Sequence, residues 1–317
     1  MSFSGKISRQ VTVFEVGPRD GLQNETRPVA LADKLAFVRG LVESGVREIE
    51  LGSFVRADRV PQMSDTDAIY EKIAGHEIEM GKTRSWSLVP NQKGLERAIQ
   101  VGAKNIAVFT AASDTFNLKN TGMTIEHSFV EIAGLVKQAK RAGMKVRGYV
   151  STAFGCPFEG AIPAKKALKV MERLAKLGVA QVSLGDTLGV ATPKEIDDLV
   201  RPALRFFGAA GAKKLAVHLH DTRGTALANA LRSLEHGVTT IDSSAGGLGG
   251  CPFAPGATGN LATEDLVYML HGMGVRTGVD LEKLCQTSLA LAQKMGRPLA
   301  SRYLMAFAAT CTPAHQK

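Results

Sequence analysis

Short β-branched runs alternate with helical patterns along the whole chain, and that alternation limits the folds open to it. Residues 11–16, 46–54, 85–89, 105–111, 145–151, 180–185, 215–220 and 239–244 each read as a strand. Helical periodicity covers 31–42, 94–101, 125–142, 163–177, 193–207, 226–234, 264–273 and 281–295. Two of these helices open on proline, Pro163 and Pro193, which suits a first helical position. Eight strands separated by helices, with no break in composition over 317 residues, predict a (β/α)8 TIM barrel. The expectation is one catalytic domain over 1–317, with short extra helices as a C-terminal extension from about 280 to 317. A doubly wound open sheet is the alternative. The turn after the first strand lacks GxGxxG, so no nucleotide redox cofactor is expected.

A barrel of parallel strands carries its chemistry at the strands' C-terminal ends. The conspicuous polar residues collect there. Arg19 and Asp20 follow the first strand, and Glu50 lies late in the second. Asp186 ends the sixth, His218 and His220 end the seventh, and Cys251 and Asn260 follow the eighth. Residues two apart in a strand share a face, so His218 and His220 project together. They form either a metal-binding pair or one core and one exposed histidine. Glu50 is either on a strand's outward face or a buried, paired acid; a sheet covered on both sides favours the second.

The run from Ala245 to Asn260 is rich in glycine and carries Cys251. Glycines let a backbone come close to a ligand, so this stretch reads as an active-site flap rather than a linker. Cys251 is then either a small packed side chain or an acid/base or nucleophile.

Composition excludes several classes. No apolar run approaches the roughly 18 residues of a membrane span. Residues 1–10 are too short and polar for a secretory signal, so a cytoplasmic protein is expected. The four cysteines form no CxxC pair, which fits a reducing compartment. The formal net charge is +9, but basic residues are scattered among acidic ones and aromatics are only 6%. Nucleic-acid binding is therefore not expected, whereas a small anionic substrate suits a mildly basic surface.

Three stretches resemble the 3-hydroxy-3-methylglutaryl-CoA lyase family. They are Glu15-Val-Gly-Pro-Arg-Asp-Gly-Leu-Gln-Asn-Glu25, Val217-His-Leu-His-Asp221 and Gly247-Leu-Gly-Gly-Cys-Pro252. Further matches are Val60-Pro-Gln-Met63, Arg147-Gly-Tyr-Val150, Ser183-Leu-Gly-Asp186 and the stretch from Gly259 to Leu270. The similarity runs from about Val11 to Cys311. By matching motif, it implies that Asp20, His218, His220 and Asn260 ligate a divalent metal cation, Mg²⁺ or Mn²⁺ first. It implies that Arg19 stabilises an enolate, that Glu50 orients Arg19, and that Cys251 does acid/base work. Asp20 and His218 would be catalytic as well as ligands, Arg19 and Gln23 would bind substrate, and Asp186 and Glu264 would support the site. An acyl-CoA substrate and a homodimer are implied as partners, with neither nucleic acid nor membrane.

The implied reaction is a retro-Claisen cleavage to acetyl-CoA and acetoacetate. It requires a C3 hydroxyl to lose its proton and a departing thioester enolate to be stabilised. Leu51-Gly52, the stretch Arg56-Ala-Asp-Arg59 and Arg223 differ from the animal pattern and flank the substrate mouth, so they bear on the acyl group. One alternative is a lyase for a longer branched 3-hydroxyglutaryl-CoA. Another is a condensing enzyme of the same superfamily, whose Gly-Glu-Arg loop is here Gly250-Cys251-Pro252. A third is a catalytically silent metal-binding or regulatory protein on the same fold.

Overall fold

The computed structural model of the protein describes residues 7–250 and 259–311. Its barrel strands are β1 Thr12–Glu15, β2 Glu48–Ser53, β3 Arg84–Leu88 and β4 Asn105–Ala111. They continue as β5 Lys145–Ser151, β6 Gln181–Asp186, β7 Leu215–Leu219 and β8 Thr240–Ser243. Each pairs in parallel with its sequence neighbours, and β8 closes onto β1 through Thr12–Thr240 to Glu15–Ser243. The predicted barrel is what forms, and a closed sheet leaves no place for the open alternative.

The alternation along each strand sorts side chains between two environments. On β5, Val146 and Val150 face outward into the core beneath the helices, while Arg147 and Tyr149 point into the barrel. On β7, Val217 and Leu219 join the outer core, which leaves His218 on the inward face. Outward Val, Ile and Leu therefore supply the hydrophobic drive, about 1.5–3 kcal/mol for each fully buried side chain. The interior is different. It holds two small apolar clusters, Phe14 with Val16 and Trp86, and Leu88 with Ala107 and Tyr149. Between and around them lie Glu48, Glu50, Arg147 and Asp242, all buried.

Helices cover the outside. The long ones follow the periodicity of the sequence: α1 Leu31–Glu43, α3 Gln92–Gln100, α5 Ile125–Arg141, α6 Ala164–Lys176, α7 Pro193–Phe207, α9 Ala226–Glu235, α10 Thr263–Gly272 and α11 Leu281–Met295. Four others carry no clear periodic signal: α2 Thr66–Ala74, α4 Asp114–Thr121, the single turn α8 Gly211–Lys214, and α12 Arg302–Cys311. Tertiary bonds set two of them. Thr66 Oγ1 donates to the carbonyls of Ser53 and Met63, which ties the start of α2 to the end of β2. Ser113 caps α4 at Phe116 N, and Glu159 accepts from Ser113 Oγ and Thr115 N. The helices α11 and α12 are the expected C-terminal additions; α11 packs on α1, and Tyr268 of α10 stacks on Tyr303 of α12. Among the described residues no helix is long and apolar enough to cross a membrane.

Two irregularities shape the rim. Register shifts between β2 and β3, where Glu50 pairs with Trp86 but Gly52 with Ser87, a bulge just past Glu50. After β6, Gly189 takes φ +60°, and a Cβ there would lie 2.7 Å from both His220 O and Thr222 N. Alanine at 189 should therefore strain the left-handed backbone by about 1–2 kcal/mol and push the loop off the mouth of β7. Urea unfolding of Gly189→Ala should show at least that loss. An unchanged midpoint would contradict the packing.

Candidate active site

The first loop after β1 is a tight turn, Gly17–Gly21, in which Gly21 N reaches back to Val16 O. It swings Arg19 over the barrel mouth, where the side chain is buried. Arg19 Nε donates to Glu50 Oε2 at 2.8 Å, Nη2 lies 2.7 Å from the same oxygen, and Nη1 donates to Asp20 Oδ1 at 2.5 Å. Three of the five N–H donors of a guanidinium are thus engaged. Two remain, on a charge that persists at any physiological pH. Glu50 is fully buried and paired, as its place in the strand implies. Burial pushes its carboxyl up, opposed by Arg19. For Asp20, burial acts the same way, but Arg19 and then His218 and His220 hold its carboxyl well below the usual range.

Beside Arg19 the β7 histidines face one another. His218 Nε2 and His220 Nε2 are 3.3 Å apart, and Asp20 Oδ2 is 3.7 Å from His218 Nε2. Ligand atoms of Asp20, His218 and His220 all lie within 4.8 Å of one another. An octahedral cation with ligands at about 2.1 Å has neighbouring ligands about 3 Å apart, so this spacing suits one ion. His220 sits just beyond β7, where its backbone bridges to Asn260 on the returning chain. Asn260 Nδ2 donates to Asp20 Oδ2 and to Leu248 O, each at 2.9 Å. Its Oδ1 is buried without a hydrogen-bond partner among the described residues. Burial, with His218 beside it, lowers His220 to about 4, which leaves the ring neutral. One carboxylate, two imidazoles and an amide oxygen suit a hard or borderline divalent cation. The orphaned Asn260 oxygen is what such an ion would satisfy.

Below this cup lies a network the sequence reading passed over. Arg147, fully buried, binds Asp242 through Nη2 to Oδ1 at 2.5 Å and Nη1 to Oδ2 at 3.1 Å. Its Nη1 also donates to Tyr149 Oη at 2.8 Å, and Tyr149 Oη donates to Glu50 Oε2 at 3.3 Å. The signal was available: Arg147 and Asp242 are charges inside strands, open to the same reasoning as Glu50.

A cavity of about 820 Å³ opens over the mouth, lined by Arg19, Asp20, Gln23, His218, His220 and Gly250. Arg56 and Arg59 line its outer wall. Arg223 instead donates to the carbonyls of Leu188 and Gly189. Asp186 accepts from Val190 N and Ala191 N and so shapes its own loop rather than the cup. Cys251 lies outside the described residues. Its chain neighbour Gly250 lines the cavity and accepts from Asn24 Nδ2 at 2.9 Å.

Two buried carboxyls grip the root of the glycine loop. Glu15 accepts from Gly17 N and Ala245 N on one oxygen and from Thr263 Oγ1 on the other. Glu264 accepts from Gly246 N on both oxygens and from Ser288 Oγ at 2.5 Å. Gly246 itself has φ +67°, and a Cβ there would meet Leu299 at 2.3 Å. Glu15 was not among the sequence candidates, although it opens the first matching motif.

Burial raises Glu15 and Glu264 from 4.5 to about 7, against the bonds they accept. A carboxyl whose folded value is raised contributes stability that is full below about 4.5 and is lost as pH rises through about 7. The shift corresponds to on the order of 3 kcal/mol for each group. Denaturant stability of the parent should fall between pH 5 and pH 8, and Glu264→Gln should flatten part of that slope. Parallel slopes would show that Glu264 is already ionised in the fold.

Residues 10–290 match the HMGL-like family model. The chain is 43% identical over 299 residues to the hydroxymethylglutaryl-CoA lyase of Bacillus subtilis, covering 94% of this chain and 98% of that one. It is 44% identical over 308 residues to the human mitochondrial hydroxymethylglutaryl-CoA lyase, covering 96% and 92%. The solved structure of the Bacillus subtilis HMG-CoA lyase superposes with a TM-score of 0.91 at 41% identity, covering 96% of this chain and 100% of that one. An HMG-CoA lyase from Acinetobacter baumannii, in complex with coenzyme A and 3-methylmalate, superposes with a TM-score of 0.88 at 36% identity over the full length of both chains. With most of its length matched by the model and by these relatives, the chain belongs to the HMGL-like family.

Proposed function

We propose that this protein cleaves 3-hydroxy-3-methylglutaryl-CoA to acetyl-CoA and acetoacetate. The observation that carries the reading is the Arg19 fork, held between Glu50 and Asp20 on the wall of a cavity it shares with His218 and His220. Its full-length relatives named hydroxymethylglutaryl-CoA lyase support the same substrate.

A divalent cation, Mg²⁺ or Mn²⁺ first, held by Asp20, His218, His220 and Asn260, would polarise the substrate's C3 hydroxyl and free carboxylate. The rest falls to the chain. Breaking the C2–C3 bond leaves its electron pair on C2, and the negative charge is shared with the thioester oxygen. Arg19 has two N–H donors to offer that oxygen, and Glu50 and Asp20 keep the guanidinium from turning away. Tyr149 Oη bonds the same Glu50 oxygen that Arg19 takes, which helps to hold that oxygen in place. Cys251, next in sequence after the cavity-lining Gly250, is assigned the proton traffic. As thiolate it takes the C3 hydroxyl proton, and as thiol it returns that proton to C2. The proton count closes on one group. Gln23 lines the same cavity, which supports a role for it in binding the acyl part.

Steady-state assay against a panel of 3-hydroxy-3-alkylglutaryl-CoA thioesters tests the substrate. The 3-methyl compound should give the highest kcat/KM. A preference for a longer alkyl group would move the acyl assignment and leave the chemistry in place. Absence of cleavage across the panel, with condensation from acetyl-CoA instead, would overturn the lyase reading.

Arg19→Met should keep the fold and lose about 10²–10³-fold in kcat, with KM changed much less, because the charge matters most when the enolate forms. A raised KM with near-normal kcat would make Arg19 a binding residue instead.

A further inference from the structure

The two cup histidines are not equivalent. Behind His220, Nδ1 is buried with no hydrogen-bond partner among the described residues. Behind His218 stands a carboxylate: Asp242 Oδ2 lies 3.4 Å from His218 Nδ1, although the two are not aligned as a full hydrogen bond. Asp242 is itself immobilised. Arg147 forks onto both its oxygens, and Ser183 Oγ donates to Oδ2 at 2.9 Å. Arg147 is held in turn, with Nε on Gln181 Oε1 at 3.0 Å and its guanidinium carbon 3.8 Å from the Phe14 ring centroid. Neither Arg147 nor Asp242 exposes its side chain at all.

We propose that Asp242, clamped by Arg147 and Ser183, is the positioning carboxylate of the metal cup, holding the proton of His218 on Nδ1. It rests on the metal-dependent reading above and assigns a role to residues outside the ligand set. The chemistry is direct. A carboxylate locked in an Arg fork is an acceptor, so the ring atom facing it must be the donor. A neutral imidazole protonated at Nδ1 has its lone pair on Nε2, the atom that faces Asp20 and His220. A small shift of the ring toward Asp242 completes the Nδ1–H to Oδ2 bond. His220 has no such partner among the described residues, so there its ring is set only when Nε2 is engaged.

Stability alone is a poor reason for the arrangement. A fully buried ion pair gains little over packed apolar side chains of similar volume, because desolvating both charges costs about what their attraction returns. A barrel interior filled by Leu and Val would serve a purely structural role as well.

The test is Mn²⁺ binding to the full chain, followed by the electron paramagnetic resonance signal of free Mn²⁺. Asp242→Asn should weaken Mn²⁺ affinity by about 10–100-fold, the usual worth of such a partner. Nitrogen-15 chemical shifts of the metal-free protein should place the His218 proton on Nδ1 and show mixed tautomers in the variant. Ser183→Ala, a gentler change to the same clamp, should lower the affinity in the same direction by a smaller factor. If Asp242→Asn folds and binds Mn²⁺ as tightly as the parent, the proposal is overturned. If that variant does not fold, Ser183→Ala decides, and unchanged affinity overturns it. A parent that binds no Mn²⁺ at all would instead remove the metal-dependent reading, and the proposal with it.

Discussion

Charge buried inside the barrel is the constraint on which the rest of the structure depends. Arg19 and Arg147 are set against Asp20, Glu50 and Asp242 in one connected network, two cations against three carboxylates. Removing that many ions from water is expensive, and mutual pairing recovers the cost only when each is held in place. The fold supplies that holding. Arg147 is threaded between Gln181, Tyr149 and Asp242, and Arg19 between Glu50 and Asp20. The outer shell of Val, Ile and Leu beneath the helices supplies the hydrophobic drive that such an interior does not. Asp20 carries the charged network to the place where His218 and His220 converge, the ligand atoms of the three all within 4.8 Å of one another, which is where a cation would be welcome.

The glycine loop depends on a second buried arrangement. Ala245 N and Gly246 N, successive amides, are each taken by a different carboxyl, Glu15 from the first strand and Glu264 from α10. Thr263, the residue before Glu264, donates to Glu15 and pairs with Ser243. The root of the loop is thus fixed from both sides, while Asn260 returns beside His220 and Asp20. The acid/base role proposed for Cys251 needs a stationary base of this kind.

Much of this was legible in the sequence because the signals were local. The eight strands follow from short β-branched runs, and the observed bounds differ from the expected ones by a residue or two. Arg19, Asp20, His218 and His220 converge because each lies near the end of, or just after, a strand, and a parallel barrel gathers those ends on one rim; Glu50 reaches Arg19 from within β2, and Asn260 returns beside them after the glycine loop. What stayed hidden depended on contacts distant in sequence. The helix α2 starts where Thr66 finds the carbonyl of Ser53, and α4 where Glu159 covers Ser113 and Thr115. Arg147 and Asp242 meet only across the barrel, so their pairing cannot be read from either strand alone. Asp186 shows the reverse: its position at a strand end suggested the rim, but its carboxyl is consumed by the amides of Val190 and Ala191.

The central claim is that one divalent cation sits between Asp20, His218, His220 and Asn260 and that the barrel's charges are arranged around it. Pulsed electron paramagnetic resonance of the Mn²⁺-loaded protein tests it most directly, because nitrogen bound to manganese gives a resolved hyperfine coupling. Two imidazole nitrogens should couple to the ion, and His220→Ala should leave one. A spectrum with only water protons, or one unaltered by loss of His220, would contradict the account.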